Sequence, residues 1–261
     1  ELKVHGIEVT HHLPGVGKNL QDHVNAVAQY KTKSRIPYGM SWGAVPRQTL
    51  SVLEYLFLRR GMFASNMVEA GGFVKTEPDL AHPDIQYIMT PGYRKIGDIL
   101  SKGHGFQLSA ILLRPESRGE ITLSSAAPED KPLINPKFFS AKADLQTLTK
   151  GLSIARKICD SHEFDTYNGA EFLPGKGVTT ESQIHDYILD TSQTIFHPVG
   201  TCKMGHDDMA VVDERLRVHG INGLRVIDAS IMPTIVSGNT NAPAIMIAEK
   251  AADMIKEDAK A

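Results

Sequence analysis

Cysteine is scarce: Cys159 and Cys202 are the two among 261 residues, too few for a disulfide framework and not spaced as a C-x-x-C pair. That scarcity favours a reducing, cytoplasmic setting over secretion. Neither Cys202 nor Met204 has a neighbour at metal-ligand spacing, so no metal site is expected. No apolar run of 18 residues and no charged-then-apolar leader occurs, which argues against a spanning helix and a signal segment. Charge of one sign is not in excess: the formal net charge is -2 and the pI about 6.6, giving no footing for nucleic acid or an acidic membrane surface. Internal repeats and low-complexity tracts are absent. So is a complete dinucleotide fingerprint. The run Gly15-Val16-Gly17-Lys18-Asn19-Leu20 puts Leu where the third Gly belongs, with no suitable helix after it and no acid about 20 residues on. A tight turn needing positive φ is the simpler reading of that run. An initiator Met is missing too: Glu1 opens ELKVHGIEV, which reads as a helix end followed by a strand already in progress, and a fragment is expected.

What is present can bury a substantial core, with 41% hydrophobic and 22% charged residues. Residues 195–261 carry the densest signal. HPVGTCKMG (His197 to Gly205) is a histidine loop, and GLRVIDAS (Gly223 to Ser230) reads as a short strand on Leu224, Val226 and Ile227 ending in Asp228. GNTNAPAIMIAEKAADMI (Gly238 to Ile255) reads as a polar turn opening a helix, with Asn241 as cap, Pro243 in the first turn, and Ile245, Ala248, Ala252 and Ile255 on one face. Free N–H groups at such a helix start favour an anionic or hydrogen-bond-accepting partner.

From Asn25 to about Asp190 the pattern is β-rich. Ala26, Ala28 and Tyr30 alternate with Val27, Gln29 and Lys31, and short β-like runs recur at 85–89, 106–113 and 120–123. Long connections containing Pro and Gly favour an antiparallel sheet over βαβ units. Helices are expected over about 46–59, with Leu50, Leu53, Leu56 and Phe57 on the apolar side, and over 143–160, with Leu145, Leu148, Leu152, Ala155 and Cys159 on one face. A third, over 181–189, starts at a Thr180/Gln183 capping box.

Among eleven histidines, His197 stands apart because Pro198-Val199-Gly200 fixes its loop and Asn239-Thr240-Asn241 follows downstream. An imidazole of pKa near ~6.5 takes a proton from an alcohol at neutral pH, whereas a carboxamide orients or donates. His5, His12, His82, His162 and His219 read as ordinary surface or core residues. Glu69 is either a pocket acid or a paired core carboxylate. Trp42, Tyr38, Tyr87 and Tyr93 supply rings of the kind an aromatic cage for a cation needs, but seven Tyr and one Trp are ordinary for this length and decide nothing. Arg114, Glu116 and Arg118 read as a salt-bridged strand connection.

Five stretches in order, GVGKNLQDHV, RPESRGEITLSS, HPVGTCKMG, VVDERLRVHGINGLRVIDASIMP and GNTNAPAIMIAEKAADMI, resemble the C-terminal half of the glucose-methanol-choline (GMC) flavoprotein oxidoreductases, on their bacterial choline and alcohol dehydrogenase side. The resemblance implies an α+β fold: an antiparallel sheet flanked by helices, plus the last strand and helix of an incomplete FAD-binding Rossmann-like domain. It places residues 1–24 and 191–261 in the flavin domain and 25–190 in the substrate domain. It implies FAD as cofactor of the whole protein and oxidation of a primary alcohol or choline, with His197 and Asn239 catalytic and with Asp228, Ala229, Asn241, Pro243 and Asn19 near the flavin. Gly15, Gly17, Asp22 and His23 lie in the segment that approaches the cofactor region, where contact and fold-stabilising turn are equally good readings. The glycine-rich N-terminal unit of the family is missing, so this chain alone is expected to hold FAD poorly, to lack a partner half and to self-associate through the uncovered face. A GMC-like lyase and a non-catalytic binding module remain alternatives. The alcohol, the electron acceptor and docking of the whole enzyme on the inner membrane are left open.

Overall fold

The computed structural model describes residues 1–68, 70–92, 102–167 and 169–260; Glu69 and Tyr93 lie outside them. The chain divides into two compact units. One comprises residues 1–24, 113–144 and 194–261, the other 25–112 and 145–193. Residues 113–144, expected with the middle of the chain, group instead with its two ends.

In chain order the elements begin with strands β1 (Val24–Thr32) and β2 (Gly39–Met40), helix α1 (Val45–Leu58) and strands β3 (Ala70–Val74), β4 (Ile85–Thr90) and β5 (Gly103–Leu112). There follow β6 (Glu120–Thr122), β7 (Leu133–Asn135), α2 (Lys142–Cys159), β8 (Ala170–Leu173), α3 (Glu181–Thr191), β9 (Gln193–Thr194) and α4 (Asn241–Asp258).

The larger sheet runs β3-β4-β5-β1-β8, with β2 on β5 and β9 on β1. The ladders that place Tyr30 opposite Phe106 and Ile88 opposite Ser109 are antiparallel, as the long connections require. Ala26, Ala28 and Tyr30 are buried along β1, and Tyr30 stacks on Phe106 with centroids 5.4 Å apart. Leu148, Leu152, Ala155 and Cys159 on α2 are fully buried, so the three- and four-residue spacing describes an inward stripe. The Tyr87 hydroxyl on β4 donates to the Gly151 carbonyl of α2 at 2.7 Å. Burial pushes the Cys159 thiol up to about 12, which leaves it a small apolar core residue. At the start of α3, Thr180 and Gln183 satisfy each other's backbone N–H groups in the expected capping box.

Helix α1 forms where its periodicity predicts, yet its polar Ser51 is buried while Leu50 and Phe57 are 66% and 80% exposed. The apolar side of this helix faces outward.

In the other unit, β6 and β7 pair in a two-stranded sheet. The Lys18 and Lys137 ammonium groups hold the Glu120 carboxylate at 2.6 and 2.8 Å and keep it well below the usual carboxylate range. Gly17 lies at φ 77°, and a Cβ there would stand 2.2 Å from the Ile121 carbonyl, so the Gly-x-Gly run is a turn pressed against β6. Among the described residues Arg114 and Arg118 do not make the expected ion pairs. Arg114 donates to Ser237 Oγ, and Arg118 to Asn19 Oδ1 and the Pro115 carbonyl.

The core of this unit gathers Val199, Val211, Val212, Ile231 and Ile247. The strand expected over Leu224–Ile227 does not form: the segment has one antiparallel bridge, Arg217 to Arg225, because its backbone pairs only with residues 216–218 and no ladder extends from there. Helix α4 forms, but its cap is Thr240 and Asn241 is its first residue. Its buried positions are Ile247 and Ala251, whereas Ile245 and Ile255 of the expected face are 56% and 43% exposed. The sequence carries two apolar stripes on α4, and periodicity alone does not choose between them. Among the described residues no helix is long and apolar enough to cross a membrane.

Candidate active site

The site is built on three consecutive residues at the end of the Gly-x-Gly turn, each holding a distant segment. Gln21 forms a backbone bridge with Val199, donates from Nε2 to the Pro233 carbonyl at 3.1 Å and accepts the Ile235 N–H at 3.2 Å. Asp22 accepts the His197 backbone N–H at 2.9 Å and, on its other oxygen, the Thr194 hydroxyl. His23, completely buried, places Nδ1 2.9 Å from His197 Nδ1 and Nε2 3.2 Å from the Leu113 carbonyl. The two imidazoles meet edge to face, with centroids 5.2 Å apart and planes at 82°.

The loop bearing His197 is bent to suit. Phe196 takes φ 64° and Gly200 φ 94°, and a Cβ at Gly200 would stand 2.4 Å from the Asn19 carbonyl, so the turn after Pro198 needs glycine. The half-buried ring of His197 faces the exposed Asn239, whose Nδ2 lies 3.3 Å from His197 Nε2. The imidazole and carboxamide, 42 residues apart in sequence, are therefore brought together.

Burial lowers the pKa of both rings. His23 falls to about 4 through desolvation and the proximity of His197. His197 is lowered by desolvation, opposed by the Asp22 carboxylate. Lowered pKa values favour the neutral rings at pH 7, and the unprotonated nitrogen of a neutral imidazole is a proton acceptor.

The remaining sequence-predicted positions are distributed as follows. Asp228 caps a short 3-10 turn at Ala229–Ile231, its carboxylate accepting the Ser230 N–H at 2.8 Å, and that turn contacts α4. Asn241 and Pro243 occupy the first turn of α4. Asn19 spends its carboxamide internally: Nδ2 donates to the Gly200 and Pro233 carbonyls, and Oδ1 accepts from Arg118 and Gln21. Sequence reasoning leaves Asp22 and His23 undecided between cofactor contact and fold. Their contacts to His197 span more than 170 residues of sequence, and the adjacent acid and imidazole after a tight turn are the one local signal.

The helix-flanked antiparallel sheet and the segments around it are shared with oxidases of known structure. A formate oxidase of Aspergillus oryzae, described for its FAD modification, superposes with TM-score 0.90 at 27% identity, over 99% of this chain and 50% of that one. A pyridoxine 4-oxidase from Mesorbium loti superposes with TM-score 0.82 at 25% identity, over 98% and 46%. The chain belongs to the GMC oxidoreductase family, whose profile matches residues 115–248. It is 45% identical to the alcohol dehydrogenase [acceptor] of Pseudomonas putida over 98% of its own length and 46% of that protein. To an oxygen-dependent choline dehydrogenase of Escherichia coli (strain SMS-3-5 / SECEC) it is 42% identical, over 96% and 44%. The chain thus spans a little under half the length of these curated relatives.

Proposed function

We propose that this chain is the C-terminal part of an FAD-dependent dehydrogenase that oxidises the CH–OH group of a primary alcohol or choline to the aldehyde. The observation that carries this reading is the His197 Nε2 to Asn239 Nδ2 contact of 3.3 Å, in a family whose relatives bear the names alcohol dehydrogenase and choline dehydrogenase. In this reading the unit made of both chain ends and residues 113–144 is the later portion of the flavin domain, and the sheet unit is the substrate domain.

The donor set fits a flavin. The first turn of α4 and the exposed Asp228 lie on contacting elements, and free N–H groups at a helix start suit the carbonyl and ring-nitrogen acceptors of an isoalloxazine. Asp228, Ala229, Asn241 and Pro243 would line the cofactor, and Asn19 holds the Gly200 and Pro233 carbonyls. When bound, flavin supplies the acceptor for the hydride leaving the alcohol carbon.

The chain's own residues handle the proton. His197 Nε2 takes it from the substrate hydroxyl, and Asn239 Nδ2 donates to the same oxygen as negative charge builds there, an interaction strongest in the transition state. Asp22 keeps the loop in place through the His197 backbone. Leu224, Ile245, Met246 and Ile255 are 43–58% exposed; we assign this face to contact with the remainder of the protein, and to self-association when the chain is alone.

The test is full-length protein assayed for a flavin absorbance spectrum and for dye reduction driven by primary alcohols and choline. Bound flavin with alcohol-dependent reduction, abolished in His197→Ala, supports the assignment. Protein that binds no flavin, or reduces no dye with any of these substrates, overturns it.

A further inference from the structure

Four groups in the site form one chain of hydrogen bonds: the Leu113 carbonyl, His23, His197 and Asn239. The distances are 3.2 Å from Leu113 O to His23 Nε2, 2.9 Å between the two Nδ1 atoms, and 3.3 Å from His197 Nε2 to Asn239 Nδ2. Taken singly, each imidazole contact can run in either direction, because a neutral ring carries its proton on either nitrogen. Taken together they cannot. A peptide carbonyl has no proton to give, so His23 Nε2 must donate to Leu113. A fully buried, neutral His23 has a single ring proton. Its Nδ1 is therefore bare, and the 2.9 Å contact requires the hydrogen to sit on His197 Nδ1.

We propose that His23 is a positioning residue that locks the proton of His197 on Nδ1, so that Nε2 is the site's permanent acceptor. The amide hydrogen of Asn239 meets that nitrogen in the matching direction. Protonation and release then occur only at Nε2, and Nδ1 stays occupied in both charge states. This differs from the arrangement in which a carboxylate holds the catalytic imidazole. Here the acid, Asp22, binds the backbone N–H of His197, while a neutral ring orients the side chain and adds no charge to stabilise an imidazolium.

The tautomer assignment rests on these contacts together with a neutral, buried His23; its consequence for turnover rests on the alcohol oxidation proposed above. The experiment is NMR of full-length protein labelled with 15N-histidine, reading which nitrogen of His197 is protonated, in the wild type and in His23→Asn and His23→Leu. A side-chain oxygen at position 23 lies near the Nδ1 site and accepts the same hydrogen, whereas leucine fills the space with no acceptor. The wild type and the Asn variant should show His197 protonated on Nδ1, and the Leu variant a mixture rich in the Nε2–H form. In the flavin-loaded enzyme the Leu variant should lose at least about tenfold in kcat with KM little changed, and the Asn variant should recover most of it. Wild-type protein with the proton on Nε2 overturns the proposal, as does a Leu variant that keeps the Nδ1–H form. Should the Leu variant not fold, the wild-type and Asn spectra still decide. Absence of alcohol turnover would sink the proposed activity and leave the proton position read by NMR unaffected.

Discussion

The Asp22 carboxylate accepts the backbone N–H of His197 at 2.9 Å, so the residue next to the buried His23 ring fixes the main chain that carries the second imidazole. Its other oxygen takes the Thr194 hydroxyl, which itself accepts the Phe196 N–H at 2.8 Å. Replacing Asp22 by Ala leaves two donors without acceptors. We expect a loss of about 1–3 kcal/mol in stability and faster hydrogen exchange at the amides of residues 196 and 197, measured by urea unfolding and exchange mass spectrometry. Unchanged exchange in this loop would refute the clamp.

Removing the proton acceptor should be more damaging than removing the hydrogen-bond donor. In full-length, flavin-loaded enzyme His197→Ala is expected to lower kcat by roughly 10²–10⁴-fold. Asn239→Ala is expected to lower it by about 10–10²-fold with a smaller change in KM, since its bond strengthens as charge develops on oxygen. Steady-state kinetics on both variants checks the order; equal and slight effects would remove the pair from the chemistry.

If His197 is the base proposed above, the acid limb of the rate profile is its titration. Burial holds its pKa below the ordinary 6.5, and the base must be neutral, so kcat/KM should rise with pH through a pKa lower than 6.5 and level off above it. The Asp22 carboxylate opposes that lowering, so Asp22→Asn should move the limb further toward acid. A limb above pH 6.5, or one moving toward alkali in that variant, contradicts the assignment.

Stability has its own pH signature from His23. Folded, its pKa is about 4; unfolded, it is near ~6.5. Between these values the unfolded chain binds the extra proton, so stability is fully present above about pH 6.5 and is lost progressively as pH falls toward 4, with an upper value on the order of 3 kcal/mol. His23→Asn has no such group. Urea unfolding at pH 7.5 and 4.5 should show a smaller difference in the variant than in the wild type, and equal differences would contradict the buried neutral ring.

The exposed stripe on α4 predicts the behaviour of the chain in isolation. Sedimentation of the 261-residue chain should show concentration-dependent association, reduced when Ile245 and Ile255 are both changed to Ser. Association that ignores the double change would place the sticky surface elsewhere, with the outward Leu50 and Phe57 of α1 the next to be altered.

Much of the fold is legible in the sequence because it is local. The α2 stripe, the α3 capping box and the alternation along β1 depend on neighbours within a few residues, and each forms. The failures share a cause in long-range contacts. Leu224–Ile227 has the composition of a strand but only a one-bridge partner, and α4 offers two apolar stripes of which packing selects Ile247 and Ala251. Strand β3 carries Gly71 and Gly72 and is a strand through its pairing with β4, not by propensity. At the site, the polar turn and histidine loop are readable, and the family resemblance pairs His197 with Asn239. The buried ring of His23 is not readable, because nothing near it in sequence reveals that it touches position 197.

Both long excursions of the chain are pinned where they leave and where they return. Residues 25–112 depart after His23 and come back at Leu113, whose carbonyl His23 holds. Residues 145–193 depart after Asp144, whose carboxylate anchors the Glu116 and Ser117 amides, and come back at Thr194, which Asp22 holds. In effect they are grafted insertions with sealed bases. The clamps that close each excursion are thus made by residues beside the His23 to His197 contact, and they should keep that contact registered whatever changes of length the excursions carry.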